Sequence, residues 1–169
     1  LQHLRAAGVT DVTIVLGQNG STVRTAFNDG HELGLRVSYV EQQEPRGIAD
    51  ALLSARERFH AGEYFLLAYA DVTCSDNPFP QLLQSFNSFR GPVAGVCLPG
   101  PPTGRYGNVY LSGTRITRIV EKPPTENLGN YVLSGVFVLP PVTFSILDYL
   151  SGLMVSFFAL FKEKPFFHS

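Results

Sequence analysis

Apolar residues along this chain follow two alternating rhythms. Val12, Ile14, Val15 and Leu16 make a short, largely β-branched run ending at Gly17, and Tyr64 to Ala70 make a longer one. Uninterrupted runs of this length are the pattern of strands buried on both faces of a parallel sheet. Leu35 to Val40 and Val93 to Leu98 read as two further strands. Helical stripes lie between them. Gly47 to Phe59 carries Ile48, Leu52, Ala55 and Phe59 on one face, with Arg56, Glu57 and Arg58 mostly on the other. Ser21 is placed to cap a helix bearing Val23, Ala26 and Phe27, which stops at Asn28-Asp29-Gly30. Asn77-Pro78 reads as a cap followed by proline at the first helical position, ahead of the stripe Leu82, Leu83, Phe86 and Phe89. Leu4 and Ala7 before Gly8 read as the last turns of a helix closed by glycine.

From Gly100 the pattern changes. A loop rich in proline and glycine precedes Gly107 to Leu111 and Ile116 to Val120, two strands around the turn Ser112-Gly113-Thr114, and Tyr131 to Leu139 gives another strand. Strands alternating with helices, then a run of strands, predict an α/β fold: a mixed, mostly parallel sheet flanked by helices, with an antiparallel excursion near its edge. At 169 residues the chain fits one domain, expected to be partial, and the Phe-rich tail at 153–169 stands apart from it. That tail holds five of the 13 phenylalanines. Either another segment covers it, or it is a surface for self-association into a homo-oligomer.

Composition narrows the function. Hydrophobic residues make up 44% and charged residues 16%, which excludes intrinsic disorder. Thirteen basic against 14 acidic residues leave a net charge of -1, with no excess to neutralise a nucleic-acid backbone. Cys74 and Cys97 form no metal or disulfide spacing and suit a reducing compartment, the cytoplasm. Val142 to Phe161 has the length of a membrane span but contains Asp148, which costs roughly 2.5 to 3.5 kcal/mol at mid-membrane, so no membrane segment is expected. Leu1-Gln2-His3-Leu4 carries neither an initiator Met nor a secretory signal, so the chain is expected to be an internal piece of a longer protein.

In open α/β sheets the ligand crevice lies beyond the carboxyl ends of the strands. Three segments fall there. Asp71 ends the second apolar run, where its carboxylate reads either as a hard oxygen ligand for Mg²⁺ and phosphate or as the cap of a turn. Glu121-Lys122 reads either as a substrate hydroxyl contact beside a phosphate-binding cation or as a solvated pair at a strand end. The stretch from Gln42 to Gly47 offers an amide and a close-approach glycine suited to a nucleobase edge, or a plain turn before a helix. No Gly-x-Ser-x-Gly elbow accompanies the four histidines, which argues against a hydrolytic triad.

Five segments in order resemble the sugar-phosphate nucleotidylyltransferases, the NDP-sugar pyrophosphorylases, and especially their glucose-1-phosphate thymidylyltransferase-like branch. They are Gln42-Gln43-Glu44-Pro45-Arg46-Gly47-Ile48-Ala49, then Asp71, then Tyr106-Gly107-Asn108-Val109. Ile119-Val120-Glu121-Lys122-Pro123 and Asn130-Tyr131-Val132-Leu133-Ser134-Gly135-Val136-Phe137 complete the series. The resemblance implies a Rossmann-like fold of the nucleotide-diphospho-sugar transferase type. It also implies transfer of a nucleoside monophosphate from dTTP or UTP to a sugar 1-phosphate such as glucose 1-phosphate, with release of pyrophosphate and dependence on Mg²⁺. Gln42 and Gly47 would read the base, Asp71 would hold the metal, and Gly107, Glu121, Lys122 and Ser134 would receive the sugar phosphate, with Asp71 and Lys122 as the catalytic pair. Gln42, Asp71 and Lys122 are then expected on one rim of one sheet.

The family places a Gly-x-Gly-Thr-Arg-Leu loop and a Lys-Pro segment ahead of the point where this chain begins, and neither occurs here. Val72 also stands where family members carry Asn, and a second metal-binding Asp is not recognisable. The isolated piece is therefore expected to be inactive. The rival reading is a non-catalytic, sugar-nucleotide-binding or regulatory subunit of the same fold. A GT-A-like glycosyltransferase ranks third, because Asp71-Val72-Thr73 lacks an Asp-x-Asp pair.

Overall fold

In the computed structural model, residues 1–151 are described except 19, 45, 61, 73, 99–106 and 123–129. The proline-glycine loop, Tyr106, Pro123 and the Phe-rich tail thus lie outside the described residues. In chain order the elements are α1 (Gln2–Ala6), β1 (Asp11–Leu16), α2 (Gly20–Phe27), β2 (Arg36–Glu41), α3 (Ile48–Ser54), β3 (Phe65–Ala68), α4 (Phe79–Phe89), β4 (Val93–Cys97), β5 (Gly107–Ser112), β6 (Arg115–Glu121), β7 (Tyr131–Leu139) and α5 (Val142–Ser151). The fold is mixed α/β. Its backbone contacts cluster into two units, one formed by Leu1–Glu63 with the segment from Pro141, the other by Tyr64–Pro140.

In the first unit β1 and β2 pair in parallel, from Asp11 opposite Arg36 to Leu16 opposite Glu41. Parallel neighbours need a crossover, and α2 provides it. This helix begins at Gly20, so Ser21 lies inside its first turn instead of capping it. The helix expected from Gly47 to Phe59 is shorter. It closes at Ala55, a single 3-10 turn follows at Arg56–Arg58, and Phe59 is extended. The tighter turn carries two side chains onto α5: Phe59 packs its ring 5.2 Å from that of Phe144, and Arg56 forms an ion pair with Asp148. The one acidic residue in the apolar stretch after Val142 thus has its partner. Leu16, Leu52, Ala55, Phe144 and Leu147 are buried, each with at most 7% of its surface exposed. Among the described residues no helix is long and apolar enough to cross a membrane.

The second unit is organised around β7, in which Gly135 to Leu139 are all buried. Phe137 faces both Leu67 of β3 and Ala94 of β4, so those strands lie on opposite edges. Val132 likewise faces both Asn108 of β5 and Cys97 of β4. A strand has only two edges, so β3 and β5 share one of them. Both run antiparallel to β7, and β3 points its carboxyl end at the start of β5. The expected hairpin of β5 and β6 is present, with Gly107 opposite Glu121. In α4 the Phe79 N–H donates to Asn77 Oδ1 at 3.1 Å, while Pro78 occupies the cap position, one residue before the place the sequence indicates. The parallel pairing among the described residues is that of β1 with β2, and every strand of the second sheet pairs antiparallel.

Gly135 interrupts β7 with φ +78°, and a Cβ there would lie 2.8 Å from Val72 Cγ2 and 2.9 Å from Tyr69 Cδ2. The end of β3 therefore rests directly on a glycine backbone, and the Tyr69 N–H donates to Gly135 O at 2.9 Å. Gly135→Ala combines a left-handed backbone, costing about 1–3 kcal/mol, with overpacking of similar size. Urea unfolding should show a loss of at least about 2 kcal/mol relative to wild type. An unchanged midpoint would contradict this packing.

Candidate functional site

In the first unit the parallel ladder runs one residue past the strand, because the Gln42 N–H donates to Leu16 O at 2.8 Å. Gln42 is thereby held at the carboxyl end of β2. Its side-chain Nε2 donates to Asp50 Oδ2 at 2.8 Å and to Gly47 O at 3.2 Å. A carboxamide has two N–H donors, so both are engaged and the carbonyl oxygen is the group left for a ligand. Gly47 has φ 102° and ψ -175°, a conformation open to glycine, and it leads into α3. Arg46 pairs with Glu44 at 2.8 Å across the same loop. Asp50 has no place in the motif reading, yet its carboxylate fixes the Gln42 amide. Its visible signal is an acidic residue in the first turn of the helix after Gly47.

The second unit brings Asp71, Gly107, Glu121 and Lys122 to one place. Tyr69 is held at Gly135 and β5 at Val132, so the shared edge of β7 opens over the two residues between them, a span of about 10 Å. This fork lies at the carboxyl end of β3. Asp71, exposed, follows two residues after Tyr69, and Gly107 opens β5 on the other side. Directly across from Gly107 is Glu121, so no β5 side chain stands beside its carboxylate. Ser134 belongs to the same stretch of β7, but its hydroxyl packs toward Gly95 of β4, whose added Cβ would approach it to 2.4 Å. Gln42 and Gly47 belong to the first unit, whose β1–β2 pair is a sheet of its own, and the other site residues to the second, so among the described residues Gln42, Asp71 and Lys122 do not share the one sheet expected for them.

Backbone conformation and electrostatics mark the fork. Lys122 follows β6 at φ 44°, a left-handed conformation that a non-glycine side chain adopts at a cost of about 1–3 kcal/mol. Desolvation raises the Glu121 pKa above the ordinary carboxylate value, and the Lys122 ammonium partly offsets this. Tyr69 is pushed up to about 12 by burial, and then by the charges of Glu121 and Asp71. Both carboxylates thus act on the same phenol. Its ring lies 5.8 Å from that of Phe137, and its hydroxyl has no protein partner within the described structure. The motif reading passes over Tyr69, whose only signal is a polar atom at the end of an apolar run.

Asp71 makes no hydrogen bond or ion pair among the described residues, where no group of three metal-ligating side chains gathers either. Mg²⁺ is held by one or two carboxylates together with substrate phosphates, so a single free carboxylate at the fork fits the protein's share of such a site. Within the second unit, the fork gathers a carboxylate at Asp71 and a second carboxylate beside a cation at Glu121-Lys122.

The nucleotidyl transferase family model matches residues 1–154, and the chain belongs to that family. It is 31% identical over 126 residues to a glucose-1-phosphate thymidylyltransferase of Streptomyces antibioticus, covering 73% of this chain and 35% of that protein. It is 28% identical over 153 residues to a probable mannose-1-phosphate guanylyltransferase of Oryza sativa, covering 88% of this chain and 41% of that one. The chain thus spans about two fifths or less of these relatives. A solved UDP-glucose pyrophosphorylase from Acinetobacter baumannii shares the fold, with TM-score 0.79 and 18% identity over 96% of this chain and 70% of its own.

Glu121 binds its proton more tightly in the folded than in the unfolded chain. The resulting stabilisation is complete below the unfolded value of about 4.3 and is lost as pH rises through the folded value. Its charge therefore opposes folding at neutral pH. Glu121→Gln should stabilise the fold slightly at pH 7, by well under about 1 kcal/mol because the group is largely exposed, read as a small rise in melting temperature that vanishes below about pH 4. A loss of stability at pH 7 would contradict the assignment.

Proposed function

We propose that this chain is the base-reading and sugar-phosphate-binding part of an enzyme that transfers a nucleoside monophosphate from dTTP or UTP to a sugar 1-phosphate, glucose 1-phosphate among them. The observation that carries the reading is the fork, where Asp71, Glu121 and a Lys122 in left-handed conformation flank the start of β5. The related proteins' names, thymidylyltransferase and guanylyltransferase, support the reaction class and leave the sugar and base to experiment.

In the reaction a phosphate oxygen of the sugar 1-phosphate forms a bond to the α-phosphorus of the nucleotide. The bond from that phosphorus to the β-bridging oxygen breaks, and pyrophosphate leaves. Lys122 would place a fixed positive charge against the sugar phosphate. Glu121 would accept a hydrogen bond from a sugar hydroxyl, and Gly107 would give the substrate room against the sheet, while the buried hydroxyl of Ser134, packed toward β4, takes no part. Gln42 would accept from the imino N–H of thymine or uracil while Gly47 lets the base ring approach the backbone. Asp71 would hold Mg²⁺, which supplies Lewis-acid stabilisation of phosphoryl charge when bound. The rest is positioning and neutralisation in the protein's own groups. We place the enzyme in the cytoplasm, acting on small molecules, and the 169-residue chain by itself is expected to turn nothing over.

Pyrophosphate release from glucose 1-phosphate with dTTP or UTP measures the activity in the intact protein that contains this chain. Lys122→Ala should raise KM for the sugar phosphate or lower kcat by roughly 10- to 150-fold, the equivalent of about 1.5–3 kcal/mol for a charge-assisted contact. Unchanged kinetics would remove Lys122 from the site. Robust turnover by the isolated chain would overturn its proposed inactivity.

A further inference from the structure

The Tyr69 hydroxyl is buried, with no protein partner within the described structure, in a fold where buried hydroxyls are ordinarily hydrogen-bonded. The phenol is also held firmly in place. Its backbone N–H is tied to Gly135 O at 2.9 Å, its ring covers a glycine that no other residue can replace without contact below 3 Å, and Phe137 packs 5.8 Å from its centroid. A side chain so constrained cannot turn away to find another acceptor. It stands at the carboxyl end of β3, at the mouth of the fork, with Asp71 two residues on and Glu121 close enough to act on it electrostatically.

We propose that Tyr69 is a specificity-determining residue of the fork, donating its hydroxyl hydrogen to a ring hydroxyl of the sugar substrate. This rests on the sugar-phosphate reading of the site and extends it to a residue outside the family motifs. The charge around the phenol decides which part of the substrate it meets. Glu121 near it repels a phosphate, while Lys122 offers the cation that a phosphate requires. The neutral, polyhydroxylated ring is left for Tyr69 and Glu121, one as donor and the other as acceptor. A hydroxyl shaped to receive a substrate group also accounts for a buried donor without a partner among the described residues: such sites reject analogues that lack the matching group.

The test is Tyr69→Phe, which removes the one oxygen and keeps the ring. Binding of glucose 1-phosphate and of inorganic phosphate is measured by calorimetry on the intact protein, together with the melting temperature. Tyr69→Phe should weaken glucose 1-phosphate roughly tenfold, leave inorganic phosphate unchanged, and leave the melting temperature level or higher, because an unpartnered polar atom is removed from the interior. Equal affinity of both forms for glucose 1-phosphate, an equal loss for inorganic phosphate, or a lowered melting temperature would each overturn the assignment. If the wild type binds no sugar 1-phosphate at all, the sugar-phosphate reading itself fails and this inference falls with it. Wild-type binding that Tyr69→Phe leaves intact sinks the inference alone.

Discussion

The pairing of β7 is the constraint on which the second unit depends. One strand of nine residues is claimed along one edge by β4 and along the other by two strands in succession, β3 and then β5. Each pairing uses backbone groups that would be costly to bury unpaired, so the register leaves little freedom in where β3 stops and β5 starts. The fork is what remains between them. Asp71 is there because β3 ends there, and Glu121 because β6 is locked to β5 through Gly107. The candidate side chains inherit their places from hydrogen bonds in which they take no part.

Stability is given up at this place in three ways. Gly135 supplies no side chain to the core at the centre of the sheet, Lys122 holds a left-handed backbone, and Tyr69 carries a hydroxyl with no acceptor among the described residues. Strain and unmet polar groups persist where the surrounding structure over-determines them, and they gather at sites of binding and catalysis. The surrounding structure here is firm: Val109 and Phe137 are fully buried, and Val132, Val136, Val138 and Leu139 are nearly so. The loop at Gln42 is built on the opposite plan. Its amide donors are satisfied internally by Asp50 and Gly47, so the side chain is a structural tie that leaves its carbonyl oxygen to accept.

Much of this was legible before any coordinates. The apolar runs marked β1 and β3, the turn at Ser112 to Thr114 marked the β5–β6 hairpin, and the ordered motifs marked the family. Boundaries were less legible where tertiary contacts override local pattern. The stripe from Ile48 to Phe59 has helical spacing throughout, but the backbone leaves the helix at Ala55 so that Arg56 and Phe59 can reach α5, ninety residues away in sequence. The direction of pairing around β7 was not readable either, because an apolar run looks the same whether its neighbours are parallel or antiparallel. At the site, charged residues after strands stand out as candidates. Tyr69 and Asp50 do not, since their roles come from what faces them in space: Gly135 in one case and the Gln42 amide in the other.

Whether a sugar phosphate enters the fork of the second unit, at Asp71, Tyr69, Glu121 and Lys122, decides the proposal. A crystal structure of the protein grown with dTDP-glucose answers this. The glucose ring is expected at the fork between Tyr69 and Glu121. A nucleotide sugar bound with its sugar away from the fork would contradict the proposal.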